Sequence, residues 1–241
     1  KIYFLVAVLL VAFQHKISHK EHAACKSNDP KAGATAPIDE SKQDEPKVYH
    51  ASRTVLTDLI NTKLEVSFDW TKSWLIGKET LQAKHHYYSS NKLILDAKGM
   101  EIKSVYMAGK KSDIDHRDDV LPIKTCEFDY KDDVLTIKLD KTYTRDEIFT
   151  VVIDYIAKPD ERKTGGSSAI TSDKGLYFIN PRGEEANKMP QIWTQGETQS
   201  NSVWFPTIDS PNSKTKQEIY ITVQDKYATL SNGKLVSSTK N

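Results

Sequence analysis

The chain has 241 residues, 38% of them hydrophobic and 28% charged, which is ordinary for a globular protein and suits one large domain or two small ones. Its 34 basic and 33 acidic side chains leave a formal net charge of +1, so electrostatics gives no ground for expecting nucleic acid or an anionic membrane as partner. Two cysteines, Cys25 and Cys126, are too few for a disulfide framework, and their wide separation does not suggest a pair.

The first segment, residues 1–24, opens with Lys1 and an unbroken apolar run from Ile2 to Phe13. That run is too short to cross a bilayer, which takes about 20 residues, but it fits the apolar region of a secretory signal. It is read as an export signal or membrane-anchoring segment; the competing reading is a buried core element. His15, His19 and His22 follow at helical spacing, as metal ligands can, or as the polar trail of an export signal. "AAC" at residues 23–25 suits a signal-peptidase site or a lipid-accepting Cys25, although His22 is the wrong residue type before a lipidated cysteine. Residues 25–50 are rich in Pro, Ala, Ser, Asp and Lys. They hold too little apolar surface to offset chain entropy and read as a flexible linker.

The body, residues 51–241, reads as strands. Residues 52–63 place Leu56, Leu59 and Ile60 on one side of a short helix, or form an extended lead-in. "TKLEVSFDW" then alternates Leu64, Val66 and Phe68 with polar neighbours, the period of a half-buried strand. "WLIGKETLQAKHHYY" continues with strand formers, and its adjacent His85 and His86 face opposite ways, a poor pair of metal ligands. "KLILDA" and "KSVYMA" are strands joined through a turn at Gly99. "DVLTIKLD" sets Leu135, Ile137 and Leu139 against Val134, Thr136 and Lys138, and "IFTVVIDYIA" has the β-branched density of a central strand. Residues 158–175, with Pro159 and the Gly165–Gly166 pair, form a long loop, either mobile over a site or a solvated connection. No long apolar period of 3.6 interrupts this body. The expected fold is all-β, an antiparallel sandwich or curved, saddle-like sheets.

Chemistry concentrates in residues 190–233. Thr194, Gln195 and Glu197 precede Phe205, Pro206, Asp209 and Pro211; Lys214 and Lys216 lead into "QEIYITV", and Leu230, Ser231, Asn232 and Gly233 follow. Order and spacing resemble the N-terminal β-domain of the aminopeptidase N family of zinc metallopeptidases, whose relatives include the leukotriene epoxide hydrolase. "GLYFINP", residues 175–181, sits where that family has a similar Gly-Leu-Tyr. Three positions depart from the family pattern: Ser202, Val203 and Trp204 stand where an Arg is usual, Thr207 replaces a common Cys, and Ser210 a common Glu.

The resemblance implies that Glu197 binds the terminal ammonium of a peptide through a charge-assisted hydrogen bond, and that Gln195, pointing the same way along an extended segment, lines the pocket for the first side chain. Read without it, Glu197 is an ordinary solvated acid. Phe205 and Trp204 are expected as packing anchors, and Pro206 and Pro211 to bracket a turn. Asp209 is expected to bond amides two residues on, and Asn232–Gly233 to make a tight hairpin.

No His-Glu-x-x-His, phosphate-binding Gly-rich loop or Gly-x-Ser-x-Gly elbow occurs. The resemblance implies a zinc held on a His-Glu-x-x-His helix, so zinc and the general base are expected in a downstream catalytic domain, and, because family members add more strands, the β-domain is expected to be cut short at its C-terminal end. The reading is the leading part of an exported zinc aminopeptidase acting on peptides with a free amino terminus, inactive by itself. The rivals are a non-catalytic β-sandwich binding module, with Trp193, Trp204 and Tyr177 as its surface, and an inactive scaffold relative.

Overall fold

The computed structural model describes residues 54–109, 121–162 and 173–240. The expected export segment and linker, with His15, His19, His22 and Cys25, lie outside the described residues, as do residues 163–172 of the long loop. The described chain forms strands β1 (Thr57–Asp69), β2 (Trp74–His85), β3 (Ser90–Asp96), β4 (Met100–Gly109), β5 (Leu121–Thr125), β6 (Phe128–Lys131), β7 (Val134–Tyr143), β8 (Phe149–Ala157), β9 (Leu176–Ile179), β10 (Gln191–Thr194) and β11 (Lys216–Ile221). Its helical content is two single 3₁₀ turns, Pro159–Glu161 and Asn201–Val203.

The ambiguous stretch before Leu64 is strand. Thr57 and Leu59 are buried, and so are Thr62, Leu64 and Val66. The phase changes because the register with β2 slips between Leu59 and Asn61, a bulge that inserts one residue. That odd step is what imitates helical spacing in the sequence.

Six strands form one sheet in the order β11-β1-β2-β8-β4-β5, with β8 at its centre as its composition suggested. A second sheet, β3-β7-β6, closes over the same core, and β9 and β10 make a separate antiparallel ribbon. Leu135, Ile137 and Leu139 of β7 point inward, as alternation required. Every pair is antiparallel except β1 with β11, which run parallel from Asn61–Lys216 to Val66–Ile221.

The turn at Gly99 is a corner between sheets, since β3 belongs to the smaller sheet and β4 to the larger. Gly99 takes φ of +63°, and its N–H donates to Asp133 Oδ1 at 2.8 Å. The Tyr130 hydroxyl secures the same corner, donating to the Ala97 carbonyl at 2.6 Å and accepting from the Met100 N–H at 2.9 Å.

The core contains one polar anomaly. Glu79 on β2 is fully buried among apolar side chains, and neither carboxylate oxygen has a hydrogen-bond partner among the described residues. Burial pushes its carboxyl well above the usual range, so the acid is held toward its neutral form. Tyr155 of β8 lies across Gly77, where a Cβ would come within 2.3 Å of the ring, and its buried hydroxyl is likewise unpartnered. Burial, and then the charge of Glu79, raises that phenol as well.

Candidate substrate-recognition site

The ribbon β9–β10 positions the first candidate residue. Leu176 and Phe178 point into the core, where Phe178 meets Phe68 and Trp70 edge-on at 6.2 Å. The opposite face carries Tyr177 and Trp193, partners in register, with rings stacked 4.3 Å apart. The Gln195 N–H donates to the Gly175 carbonyl at 2.9 Å, which extends the ladder by one rung beyond Thr194. Alternation therefore places Gln195 on the face of Trp193, half-buried beside the aromatic pair.

Gly175 is required at this junction. It has φ of +67°, and a Cβ there would lie 1.9 Å from the Ser200 carbonyl oxygen. The close approach lets the next loop fold back over the ribbon. At Gly196 the chain leaves the extended conformation, and the Ser200 N–H bonds the Gly196 carbonyl at 2.9 Å across a turn that exposes Glu197. The Glu197–Thr198 peptide is cis. Gln195 and Glu197 are thus not two positions on one strand face, and the expected shared direction is corrected: the turn, not alternation, sets where Glu197 points.

The turn is fixed from beneath by the corner between the sheets. Lys98 donates through Nζ to the Gln199 carbonyl and through its N–H to Ser202 at 2.7 Å. Asp96 and Thr207 exchange backbone bonds at 2.7 and 2.9 Å. Asp209, nearly buried, accepts from Ser202 N–H at 2.9 Å and Ser202 Oγ at 2.7 Å, while its own N–H donates to Asp96 Oδ2 at 2.9 Å. Asp209 therefore reaches back seven residues rather than forward two, because the short 3₁₀ turn at Asn201–Val203 presents it with a free amide and a hydroxyl.

Trp204 and Phe205 are buried, and Pro206 lies buried between them and Thr207. Pro211 lies exposed in a turn. Asn232 and Gly233 sit in a bend, neither has positive φ, and no named strand flanks them, so the expected hairpin does not form among the described residues. A tight turn of that type needs two arms that pair, and after Gly233 the described residues carry only an isolated bridge at Lys234.

His85 is buried and its Nε2 meets the Ser90 carbonyl at 3.1 Å, whereas His86 is exposed. Desolvation lowers the His85 pKa, opposed by that carbonyl. Cys126 is a free, buried thiol whose pKa burial raises. A hollow of about 440 Å³ opens between the β1–β2 turn and the tip of the β9–β10 ribbon, lined by Lys72, Arg182, Lys188 and Glu185 among others; neither Gln195 nor Glu197 borders it. Sequence reasoning missed Asp96 and Lys98, whose contacts with the turn span about a hundred residues and leave no local pattern.

A model of the Peptidase M1 N-terminal domain matches residues 45–241. The chain belongs to that family. Comparison with curated proteins finds no match. Among solved structures, this M1 domain is similar to a mutant two-domain M1 zinc metallopeptidase bound to L-arginine, with a TM-score of 0.52 and 14% identity over 70% of this chain and 33% of that one. A mutant M1 zinc metallopeptidase from Deinococcus radiodurans bound to a Tyr-Ser-Ala substrate gives 0.50 and 13%, over 68% and 32%. Yeast LTA4 hydrolase in complex with bestatin gives 0.50 and 20%, over 69% and 23%. These likenesses show the β fold, and the chain spans about a quarter to a third of each structure's length. Among the described residues of the domain no group of three His, Cys, Asp or Glu could hold a metal. The described residues therefore offer no fit for a zinc ion.

Proposed function

We propose that this domain serves an exported zinc-dependent aminopeptidase by receiving the free amino end of a peptide, with Glu197 as the anionic contact and Gln195 lining the space for the first side chain. Zinc and the general base would come from residues outside this chain. The observation that carries the reading is the clamped turn. Glu197 is exposed on a segment pinned by Lys98, Asp96 and Asp209, beside Gln195 and the Tyr177–Trp193 stack.

An exposed carboxylate on a fixed backbone supports this role in two ways. It pays little ordering entropy on binding, and its charge selects an ammonium over an acylated amine. Hydrogen bonds to charged groups contribute about 1.5–3 kcal/mol, which is roughly 10- to 150-fold in kcat/KM.

The test is made in the complete polypeptide, with aminoacyl anilides and their N-acetylated counterparts as substrates. Glu197→Gln should lower kcat/KM for the free amine by about that factor and narrow its preference over the acetylated compound. An unchanged preference removes Glu197 from the site.

A further inference from the structure

The register of the β9–β10 ribbon fixes what stands beside Gln195. Gln191 faces Ile179, Trp193 faces Tyr177, and one rung further the Gln195 N–H bonds Gly175. Alternation puts Gln191, Trp193 and Gln195 on the outer face with Ile179 and Tyr177, while Leu176, Phe178 and Ile192 turn to the core. Gly175 contributes no side chain, so Trp193 and Tyr177 are the ribbon's nearest side chains to Gln195 on this face. Trp193 lies two residues from Gln195, roughly 7 Å along the strand. The charged residues Arg182, Glu184, Glu185 and Lys188 belong to the loop at the other tip. That loop joins the strand before Gln191, which is itself roughly 13 Å from Gln195. Trp204 and Phe205 are buried and take no part in this face.

We propose that the Tyr177–Trp193 stack is the specificity-determining wall of the space for the first side chain, and that it selects peptides beginning with an aromatic residue over those beginning with a small or an acidic one. The inference rests on the reading of Glu197 and Gln195 as the site for a free amino end. It adds the two residues that sort substrates by what that end carries.

Three features of the wall favour an aromatic ring. The two rings lie 4.3 Å apart and within 10° of parallel, on directly paired residues, so each limits the rotation of the other. Both residues are half-buried, and a third ring can add to the pair offset or edge-on, the arrangements aromatic side chains prefer. A methyl group held at the same place covers little of that surface and gains correspondingly less. An acidic side chain meets the negative face of a ring, the neutral amide of Gln195 and the Glu197 carboxylate; it gives up its water to groups that do not repay it. The stack also stands on a braced ribbon. Leu176 and Phe178, alternating with Tyr177, are anchored in the core, so the wall needs no ordering when substrate arrives.

The experiment uses the complete polypeptide and the anilides of phenylalanine, alanine, glutamate and lysine. Each kcat/KM is compared within one preparation, so the ratios do not depend on the fraction that is folded. Wild type should favour the phenylalanyl over the alanyl and glutamyl compounds. Trp193→Ala should lower the phenylalanyl-to-alanyl ratio by roughly 10-fold, and Trp193→Leu, which keeps apolar bulk, by less. Tyr177→Ser, which leaves Trp193 without its stacking partner, should lower it as well. In all three the preference for a free over an acetylated amine should hold, since Glu197 is untouched. A ratio that survives both Trp193 substitutions overturns the proposal, as does a wild type that favours the alanyl or glutamyl anilide. A loss confined to the lysyl anilide overturns it in favour of a cation held over the ring. If Glu197→Gln erodes the free-amine preference while the Trp193 variants leave the side-chain ratio unmoved, this inference fails and the Glu197 reading stands. The reverse pattern rejects Glu197 alone, and a polypeptide inactive on every anilide rejects both.

Discussion

Replacing Glu79 by Met should stabilise the domain, and do so more at neutral than at acid pH. The folded state holds this carboxyl above its ordinary range because burial penalises the charge and no donor offsets it. The unfolded chain releases the same proton near pH 4.3. Below that value both states are protonated and the group's contribution is fully present. As pH rises toward the folded pKa, the unfolded state alone gains from ionising, and stability falls by about 1.4 kcal/mol for each pH unit. Two units within that window remove about 2.7 kcal/mol, which for a domain of this size is roughly 5–11 °C in Tm. Methionine is close in length, needs no proton and leaves the Leu64 and Ile153 neighbours of the ladder undisturbed. Thermal unfolding of the two proteins at pH 5 and pH 7 isolates the effect, since every other titrating group is common to both. The gain from Glu79→Met should be larger at pH 7, by at most about that margin. An equal difference at both pH values, or a variant that melts lower at pH 7, would refute a neutral, unpartnered acid in the core.

Other consequences are open to direct measurement. Asp209→Ala strips the Ser202 amide and hydroxyl of their acceptor and should cost about 1–3 kcal/mol in urea unfolding. Gly175→Ala forces a Cβ onto the Ser200 carbonyl at positive φ, so hydrogen exchange across residues 196–204 should rise even where the rest of the sheet keeps its protection. Lys98→Met removes one tie to the turn, at Gln199; exchange at 197–200 should increase while the global midpoint stays within about 0.5 kcal/mol of wild type.

Strand identity was legible wherever one face is buried and the other wet. Leu64 and Val66, and the Leu135–Ile137–Leu139 series, advertise their faces through a period of two. Legibility failed where topology intervened. The bulge between Leu59 and Asn61 shifted the phase and let a strand pass for a helix, and nothing local marks Gly99 as a corner between sheets rather than a hairpin. The candidate site was legible through residue types in order, Gln195 to Pro211, but not in shape. The turn at Gly196 depends on Gly175, Lys98 and Asp96, residues remote in sequence whose contacts carry no periodic signal. Glu79 escaped notice because one acid in an alternating strand looks like any solvated position.

The parallel union of β1 with β11 has a consequence for how the molecule is made. Asn61 meets Lys216, so one flank of β1 stays bare while the roughly 150 residues between the two strands are still being synthesised. At ordinary elongation rates that delay is roughly ten to thirty seconds. A nascent chain in that interval offers an unsatisfied ribbon of amides and carbonyls to any holding factor that grips extended backbone. Resistance to proteolysis along that flank should therefore arrive late and abruptly, once Ile221 has cleared the ribosome.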